Sequence, residues 1–371
     1  MRRFLVSALI VASLGVLASC SLFEGRAGLR EIWGGADEGA SVNTSKVGGV
    51  DDAHVYFLRG RNVTAFDRRD GRVVWRSEDL RQVCTAVFVG GGRVYCPGPD
   101  LRAFDAATGR TLWTLPSDSS LSLTQGTADA TRAFAATLTA VVAADAQTGA
   151  VLWRRGFSGR PDDPEPWVQP RIRSLTLSEG DLLVALEGEY DPNAIFSKAV
   201  IVALDPATGQ ERWRYEDGGP TTNRAVGGVT AWDGLLLYTD ATGQEVVAVS
   251  RATREVVWRR PWEQGFLGGL RAPVVRDGVA YWAAGDSHVY AADARTGAEV
   301  WRVKPEIGSY RSHEVCGSVV LANNFALSVV NRLDGSVRGI LFDDEQVGQM
   351  AVADGMAYVS TERGVYAFDC E

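Results

Sequence analysis

A fixed spacing of Asp, Gly and Trp returns along most of the chain. In its first complete copy, Asp67, Gly71 and Trp75 stand four residues apart. The same spacing is complete in four further copies, which begin at Asp105, Asp145, Asp205 and Asp293. Self-similarity with a period of about 40 residues is typical of repeat architectures, so each copy is expected to be one structural unit.

Two further copies are incomplete but stay in register. One keeps the tryptophan and lacks Asp and Gly, whereas the other keeps the turn glycine and lacks the tryptophan. They read Ser250, Arg254 and Trp258, and Asn331, Gly335 and Gly339. From Asp67 to Asp369 the steps between corresponding positions are 38, 40, 60, 45, 43, 38 and 38 residues. Such steps fit four short strands joined by tight turns, which is the content of a propeller blade.

Each copy has the chemistry of a β-hairpin. In the first copy, residues 63–66 and 72–75 are alternating segments on either side of a polar turn. Asp at the turn entry can accept backbone N–H bonds, Gly supplies a positive φ, and Trp offers a large face to bury between sheets. A helical solenoid would need apolar residues at 3.6 spacing, which is absent, and a β-sandwich does not explain seven copies in register.

The two ends of the chain supply the eighth unit. Residues 365–369 form an inner segment with its Asp369 but no following tryptophan, and residues 29–33 form an outer segment with its Trp33 but no preceding Asp. Joining them completes a blade and hides open strand edges. The sequence therefore predicts an all-β fold, an eight-bladed β-propeller over residues 29–371 whose ring is closed by the N- and C-terminal strands. Seven tryptophans are expected to dock between blades: Trp33, Trp75, Trp113, Trp153, Trp213, Trp258 and Trp301.

The first twenty residues predict export and a lipid anchor. Arg2 and Arg3 precede an apolar run over residues 4–17, which is too short for a membrane-spanning helix of about 20 residues. Residues 17–20, Leu-Ala-Ser-Cys, resemble a bacterial lipobox, whose cysteine becomes the N-terminus and carries acyl chains. This resemblance implies a signal peptide over residues 1–19, lipid attachment at Cys20 and a tether over residues 20–28, and hence an extracytoplasmic, lipid-anchored protein. The alternative is an ordinary secretory signal with an accidental cysteine.

Charge and histidine content restrict the partners. The chain has 38 Lys and Arg against 46 Asp and Glu, a net charge of −8, so nucleic acid is not an expected partner. With three histidines and no Cys-x-x-Cys pair, a structural zinc site has little support. His313 and Glu314 are adjacent, yet no Ser-His-Asp arrangement can be assembled from the sequence, so no catalytic residue is predicted.

The cysteines after Cys20 suggest two disulfides, because an even number in an exported chain is typical of bridges. Cys84 and Cys96 flank the glycines 90–92 almost symmetrically, so we expect them near each other across two antiparallel strands. Cys316 and Cys370 are a second candidate pair, which would join the seventh and eighth blades.

The repeat resembles the PQQ-like propeller repeat, whose blades carry Ala-x-Asp-x-x-x-Gly-x-x-x-Trp with the tryptophan docked on the adjacent blade. Five alanines match its first position: Ala65, Ala103, Ala143, Ala203 and Ala291. With the lipobox and a single propeller, residues 29–371 are similar to the BamB family of the outer-membrane β-barrel assembly machinery. The resemblance implies a non-enzymatic scaffold, a monomer within a complex, that docks on the barrel-assembly protein and helps deliver its unfolded clients. It implies the periplasmic face of the outer membrane, where the host has one.

Two other functional classes use such blades. A quinoprotein dehydrogenase would need a vicinal cysteine pair, a calcium-binding set and a catalytic aspartate, and this chain has no Cys-Cys pair and little sequence beyond the blades. No PQQ or other cofactor is therefore expected. A sensor or small-ligand-binding propeller stays open, and a concave pocket with converging polar groups would favour it over a flat face.

The 60-residue step holds the largest departure from the repeat, about 20 residues more than a minimal blade. The excess lies at residues 156–170 and 187–198. Long loops on a rigid scaffold often carry binding, so Trp167, Tyr190 and Phe196 are the candidate partner-binding residues. The alternative is a tolerated surface excursion whose aromatic side chains fold back onto the blade.

Overall fold

The computed structural model describes residues 26–36, 48–80, 84–116, 123–157, 171–187, 198–218, 224–263, 271–305, 312–324 and 326–371. Within these ranges the chain forms thirty-two β-strands and one short 3-10 turn at Arg26–Gly28. The strands make eight sheets of four strands each. None of the described residues belongs to a helix long and apolar enough to cross a bilayer.

Blades one to four follow one another along the chain, each with its strands in sequence order. Blade one contains β2 (Gly49–Val50), β3 (His54–Arg59), β4 (Asn62–Asp67) and β5 (Val73–Arg76). Blade two contains β6 (Phe88–Gly90), β7 (Arg93–Pro97), β8 (Asp100–Asp105) and β9 (Thr111–Pro116). Blade three contains β10 (Gln125–Ala128), β11 (Arg132–Ala136), β12 (Ala140–Asp145) and β13 (Val151–Gly156). Blade four contains β14 (Arg171–Ser178), β15 (Asp181–Glu187), β16 (Ala199–Leu204) and β17 (Glu211–Asp217).

Blades five to seven continue the same order, and blade eight draws on both ends of the chain. Blade five contains β18 (Val226–Trp232), β19 (Leu235–Asp240), β20 (Glu245–Ser250) and β21 (Val256–Pro261). Blade six contains β22 (Val274–Arg276), β23 (Val279–Ala283), β24 (Val289–Asp293) and β25 (Glu299–Val303). Blade seven contains β26 (Ser312–Cys316), β27 (Val319–Asn324), β28 (Ala326–Asn331) and β29 (Val337–Leu341). Blade eight contains β30 (Val347–Ala353), β31 (Met356–Thr361), β32 (Val365–Asp369) and, as its outer strand, β1 (Arg30–Ala36).

The first strand of each blade contacts the first strand of the next blade. These contacts run from β2 through β6, β10, β14, β18, β22, β26 and β30, and back to β2. The first strands therefore surround a central channel, and the fourth strands lie at the perimeter. The predicted fold, an all-β propeller of eight blades, is confirmed.

The N- and C-terminal strands close the ring. Strand β1 pairs antiparallel with β32, with Trp33 opposite Ala367 and Arg30 opposite Asp369. The predicted joining of the two half-units is therefore confirmed. Trp33 is half-buried, and it packs with Phe57 and Tyr358 in the apolar core between blades eight and one.

The repeat tryptophans hold neighbouring blades together. Six of the seven donate from the indole Nε1 to a backbone carbonyl in the turn of the next blade, at 2.9 to 3.0 Å: Trp33 to Arg68, Trp75 to Ala106, Trp113 to Ala146, Trp153 to Pro206, Trp258 to Ala294 and Trp301 to Arg332. Each of these indoles also lies directly against the turn glycine of that next blade. The glycine in the repeat is therefore required by packing as well as by its positive φ.

Blade five has lost this glycine, and its contact with blade four is altered. Arg254 occupies the glycine position with φ 65°, and its guanidinium carbon lies 4.7 Å from the centre of the Trp213 ring. The same guanidinium donates to the Arg251 carbonyl, which corresponds to the acceptor used by the other tryptophans. Trp213 donates instead to the Asp181 carboxylate, at 3.1 Å. The expected docking of Trp213 thus holds with a different acceptor.

Two disulfides are formed, in the pairing that the sequence favours. Cys84 and Cys96 have Cα atoms 5.4 Å apart, and Cys316 and Cys370 have Cα atoms 5.6 Å apart. Cys84 precedes β6 rather than lying in it, so the two cysteines are not opposed within the regular ladder as the symmetric spacing suggested. The second disulfide links the first strand of blade seven to the end of the chain in blade eight.

The two sides of the ring are built differently. The loop face, as we call it, carries the connections between blades and the hairpins between second and third strands. The turn face carries the other hairpins, including the Asp-x-x-x-Gly turns. Most of these turns are short and stabilised by their own Asp; Asp145, for example, accepts from the backbone N–H groups of Gln147 and Thr148. The repeat acids are therefore structural.

Candidate functional site

The loop-face end of blade four brings together the C-terminal end of the longer insertion and both ends of the shorter one. The ladder aligns Arg171 with Glu187, Glu187 with Ala199, and Ala199 with Asp217 in one row across the four strands. Segment 158–170 precedes Arg171 of this row, segment 188–197 connects its second and third strands, and segment 219–223 follows its last strand. The candidate residues Trp167, Tyr190 and Phe196 lie outside the described residues, as does Cys20. The described row nevertheless shows that the two insertions share one edge of one blade.

Both flanks of the longer insertion are hydrogen-bonded to blade three, from which the insertion leaves. The Phe157 N–H donates to the Thr139 carbonyl at 2.7 Å, and the Ile172 N–H donates to the Leu138 carbonyl at 2.6 Å. Both acceptors belong to the hairpin between β11 and β12. The Leu138 side chain is 37% exposed beside these anchors. An apolar side chain thus stands in solvent where the insertion leaves and re-enters the ring.

A polar cluster fixes blade four to blade five on the same face. Asp217, at the end of β17, accepts a hydrogen bond from the Tyr238 hydroxyl at 2.5 Å and forms an ion pair with Arg259 at 2.8 Å. Burial would raise the pKa of Asp217, but these two hydrogen bonds hold it below its ordinary value. Burial is also the main reason that the pKa of Tyr238 is raised. The cluster therefore keeps a charged carboxylate and a neutral phenol in fixed positions.

The cluster continues into the second hairpin of blade five. Arg259 also pairs with Glu245 at 2.6 Å, and Arg224 pairs with Asp240 at 2.8 Å and with Glu245. The side chains of Asp240 and Glu245 are buried or nearly so, which makes loss of a partner costly. Charged groups thus give the loop face a rigid base beside the 219–223 segment.

A cavity of about 560 Å³ opens near the loop-face end of the channel. Several of its lining residues, such as Gly48, Thr124 and Arg271, precede the first strands of their blades, which start on this face. Arg173 and Gln125 complete its polar lining, and Arg173 forms an ion pair with Glu187 of the row. The cavity and the insertions therefore share a face.

The histidine–glutamate pair singled out in the sequence lies beside this cavity. Arg271 Nη1 lies 3.5 Å from Glu314 Oε1. Burial raises the pKa of Glu314, with Arg271 acting in the opposite direction. His313 is 2% exposed, and burial, together with the positive charge of Arg271, lowers its pKa to about 4. The His313 imidazole is therefore buried and neutral near pH 7.

The two channel arginines were not among the predicted site residues. Arg173 and Arg271 carry no motif, and their sequence neighbours do not mark them. The repeat could nevertheless have identified them, because each lies near the start of the first strand of its blade. The first strands are the strands nearest the central channel. In the described ranges, no group of three or more His, Cys, Asp or Glu side chains has the arrangement of a metal site.

Sequence comparisons identify relatives of this propeller. A family model described as outer membrane protein assembly factor BamB matches residues 26–188 and 197–341. The outer membrane protein assembly factor BamB of Nitrosomonas eutropha is 31% identical over 116 residues, which are 30% of this chain and 26% of that relative. The serine/threonine-protein kinase AfsK of Streptomyces griseus is 34% identical over 123 residues, 31% of this chain and 15% of the kinase. Both alignments span a minor part of the relatives' lengths.

Solved structures share the propeller at low identity. BamB from Moraxella catarrhalis superposes with a TM-score of 0.67 and 15% identity, covering 92% of this chain and 99% of that one. The quinohemoprotein alcohol dehydrogenase from Comamonas testosteroni gives a TM-score of 0.69 and 15% identity, covering 92% of this chain and 76% of the enzyme. These likenesses concern the fold, which scaffolds and enzymes have in common. The family match spans most of the repeat units, and the chain accordingly belongs to the family of outer membrane protein assembly factor BamB.

Proposed function

We propose that this protein is a lipid-anchored, non-enzymatic scaffold that binds a protein of outer-membrane β-barrel assembly through its loop face. The observation that carries the proposal is the row of Arg171, Glu187, Ala199 and Asp217, because the longer insertion ends and the shorter one begins at this edge of blade four. Departures from a repeat that converge on one edge of a rigid ring are typical of binding surfaces. Family membership supplies the class of partner.

The base of this surface is suited to recognition. The Asp217 cluster fixes the ends of the strands, so the loops above it are presented from a rigid platform. Leu138 adds an exposed apolar side chain beside the anchors of the longer insertion. Rigid support reduces the conformational entropy lost on association, and an apolar contact bordered by charges is the usual anatomy of an interface. Trp167 would be its aromatic anchor.

The anchor follows from Cys20. Acyl chains on this residue would hold the ring at a bilayer, because each buried methylene contributes about 0.8 kcal/mol. The protein would then lie at the periplasmic face of the outer membrane as a monomer within the assembly complex. Its unfolded clients would be bound through the complex.

Quinohemoprotein dehydrogenases share this fold, so only particular residues can separate a scaffold from an enzyme. The chain has no vicinal cysteine pair, and its four described cysteines form two disulfides between distant positions. The repeat acids are engaged in their own turns, as at Asp293, which accepts from the N–H groups of Arg295 and Thr296. We therefore assign the protein no quinone cofactor.

The direct test is purification of the lipidated protein from host membranes under mild detergent, followed by mass spectrometry of the proteins that remain bound. Recovery of the outer-membrane barrel-assembly protein as a major component is expected. Quinone-dependent alcohol dehydrogenase turnover by the purified protein would overturn the scaffold assignment. Absence of the assembly protein from repeated captures would remove the proposed partner.

The cavity supports a second candidate function, the binding of a small organic anion at the channel mouth. Arg173, Arg271 and Gln125 line a volume of about 560 Å³, which is within the usual range of ligand pockets. Native mass spectrometry of the protein and of an Arg271→Gln variant, with succinate as the probe, tests this. Succinate retained by the wild type and lost by the variant would favour it, and equal retention would exclude Arg271 from such a site.

A further inference from the structure

The seventh blade lacks its tryptophan, and the N-terminal segment takes the vacated place. Gly339 stands at the tryptophan position of β29, and a Cβ built on it would lie 2.9 Å from the Cβ of Ala27. Leu29, the next apolar residue, is 1% exposed and belongs to the core shared by blades seven and eight. The chain therefore enters the propeller by packing on the outer strand of blade seven.

This entry point lies on the turn face. Strand β1 starts with Arg30 opposite Asp369, and Asp369 stands at the turn-face end of β32. The Cys316–Cys370 disulfide fixes the same region, since Cys370 directly follows Asp369. The start of the described chain is thus held at one corner, the turn-face perimeter of blades seven and eight, and away from the loop face.

The length of chain before this corner limits its distance from a bilayer. Five residues, 21–25, separate Cys20 from Arg26. A fully extended chain spans at most about 3.6 Å per residue, so over six steps Arg26 lies within about 22 Å of the Cys20 Cα atom. This step rests on the proposed lipid attachment at Cys20, which would place that atom at the membrane surface.

The same corner exposes apolar side chains. Leu333, in the turn between β28 and β29, is 75% exposed, more than any other large hydrophobic residue of the described ranges. Val337 on β29 and Ile32 on β1 are 41% and 40% exposed on the adjoining outer strands. Outer strands elsewhere expose similar residues, such as Leu152 at 47%. Leu333 and the short tether together distinguish this corner.

We propose that the corner formed by Ile32, Leu333 and Val337 rests on the lipid surface, with the loop face directed away from the bilayer. The occupant is the interfacial region of the membrane that holds the acyl chains, because the tether reaches no farther. A half-exposed outer strand then contacts lipid headgroups while Leu333 enters the boundary with the acyl chains. The orientation leaves the insertions of blade four free to bind a partner.

The test uses lipidated full-length protein in vesicles of phosphatidylethanolamine and phosphatidylglycerol that contain a spin-labelled quencher lipid. An environment-sensitive fluorophore is attached to Leu333→Cys, to Ile32→Cys, or to the matched control Leu152→Cys. Leu152 lies on the outer strand of blade three, four blades away from blade seven and so on the opposite side of the ring. Equal thermal melts establish that the labelled proteins are folded, and mass spectrometry establishes acylation of Cys20.

The probes at positions 333 and 32 should be quenched at least about twofold more than the probe at position 152. Equal quenching at the three positions, or stronger quenching at position 152, would overturn the proposed orientation. An unacylated Cys20 would overturn it as well. Unfavourable quenching with an acylated Cys20 would leave partner capture by the loop face unaffected, so failure of the orientation is distinguishable from failure of the proposed function. An unacylated Cys20 would instead also overturn the lipid anchor of the proposed function, while the capture experiment would still test the partner.

Discussion

The Trp33 indole lies against Gly71 across the junction where the two ends of the chain meet, and its Nε1 donates to the Arg68 carbonyl at 2.9 Å. The same pair of contacts joins neighbouring blades elsewhere in the ring, for example between Trp75 and Gly109. The closing junction is therefore held by the same tryptophan–glycine contacts as the other blade interfaces. This relation makes the stability of the closed ring testable at single positions.

Gly71→Ala should destabilise the protein by about 2 kcal/mol or more, because the new methyl group would overlap the Trp33 ring and the residue has φ +73°. Gly92→Ala is the matched control, since Gly92 has φ +70° and a methyl group added there would have no heavy atom within 4 Å. Urea unfolding of both variants separates the two effects, and the control should lose only about 1 kcal/mol. Equal losses would show that Trp33 does not press on Gly71.

The free energy of unfolding should depend on pH because the buried His313 has a lowered pKa. Its pKa is about 4 in the folded protein, against an ordinary histidine value of 6.5 that applies to the unfolded chain. The unfolded chain therefore takes up the proton first, so stability is fully present above pH 6.5 and falls until about pH 4. The full effect is on the order of 3 kcal/mol.

The check is urea unfolding of the wild type and of His313→Gln between pH 7 and pH 4. The variant retains Glu314 and Arg271 but cannot bind this proton, so its stability should decline less over the same interval. Parallel declines in the two proteins would contradict a buried neutral His313.

Removing the disulfides should have unequal effects. In the chain-entropy account, the bridge over 54 residues contributes about 4 kcal/mol and the bridge over 12 residues about 3 kcal/mol. Cys316→Ser with Cys370→Ser should therefore lower stability more than Cys84→Ser with Cys96→Ser, as measured by urea unfolding of both double variants. A larger loss from the shorter bridge would show that the C-terminal disulfide does not hold blades seven and eight together.

Most of the fold could be predicted because each residue type of the repeat is suited to one position in a blade. Asp105, Gly109 and Trp113 occupy a turn entry, a positive φ and an interface between blades, and each residue type has a physical reason to be there. The pairing of the half-units at the two ends of the chain followed from the condition that the ring has no open strand edge. Two cysteines separated by a short glycine turn likewise had few other partners within reach.

The remaining features depend on contacts between residues that the sequence does not link. The sequence near Trp213 does not show that Arg254 donates to the carbonyl that would otherwise accept from the indole. Nor does it show that the Asp181 carboxylate serves as the acceptor for Trp213 instead. Nothing near Gly339 shows that Ala27 fills the place of the missing tryptophan. The cavity, too, forms from first strands of separate blades, so Arg173 and Arg271 become neighbours of one space only when the ring is closed.

The central claim is that the loop face binds the partner, and quantitative capture by matched variants tests it most directly. Leu138→Asp changes an exposed leucine beside the anchors of the insertion, whereas Leu152→Asp changes an exposed leucine of the same blade on its outer strand. Trp167→Ala removes the expected aromatic anchor. With equal melting temperatures established, Leu138→Asp and Trp167→Ala should each weaken binding of the purified barrel-assembly protein by about 30-fold, equivalent to about 2 kcal/mol, while Leu152→Asp binds as the wild type does. Unchanged binding by both loop-face variants, or an equal loss with Leu152→Asp, would contradict the account.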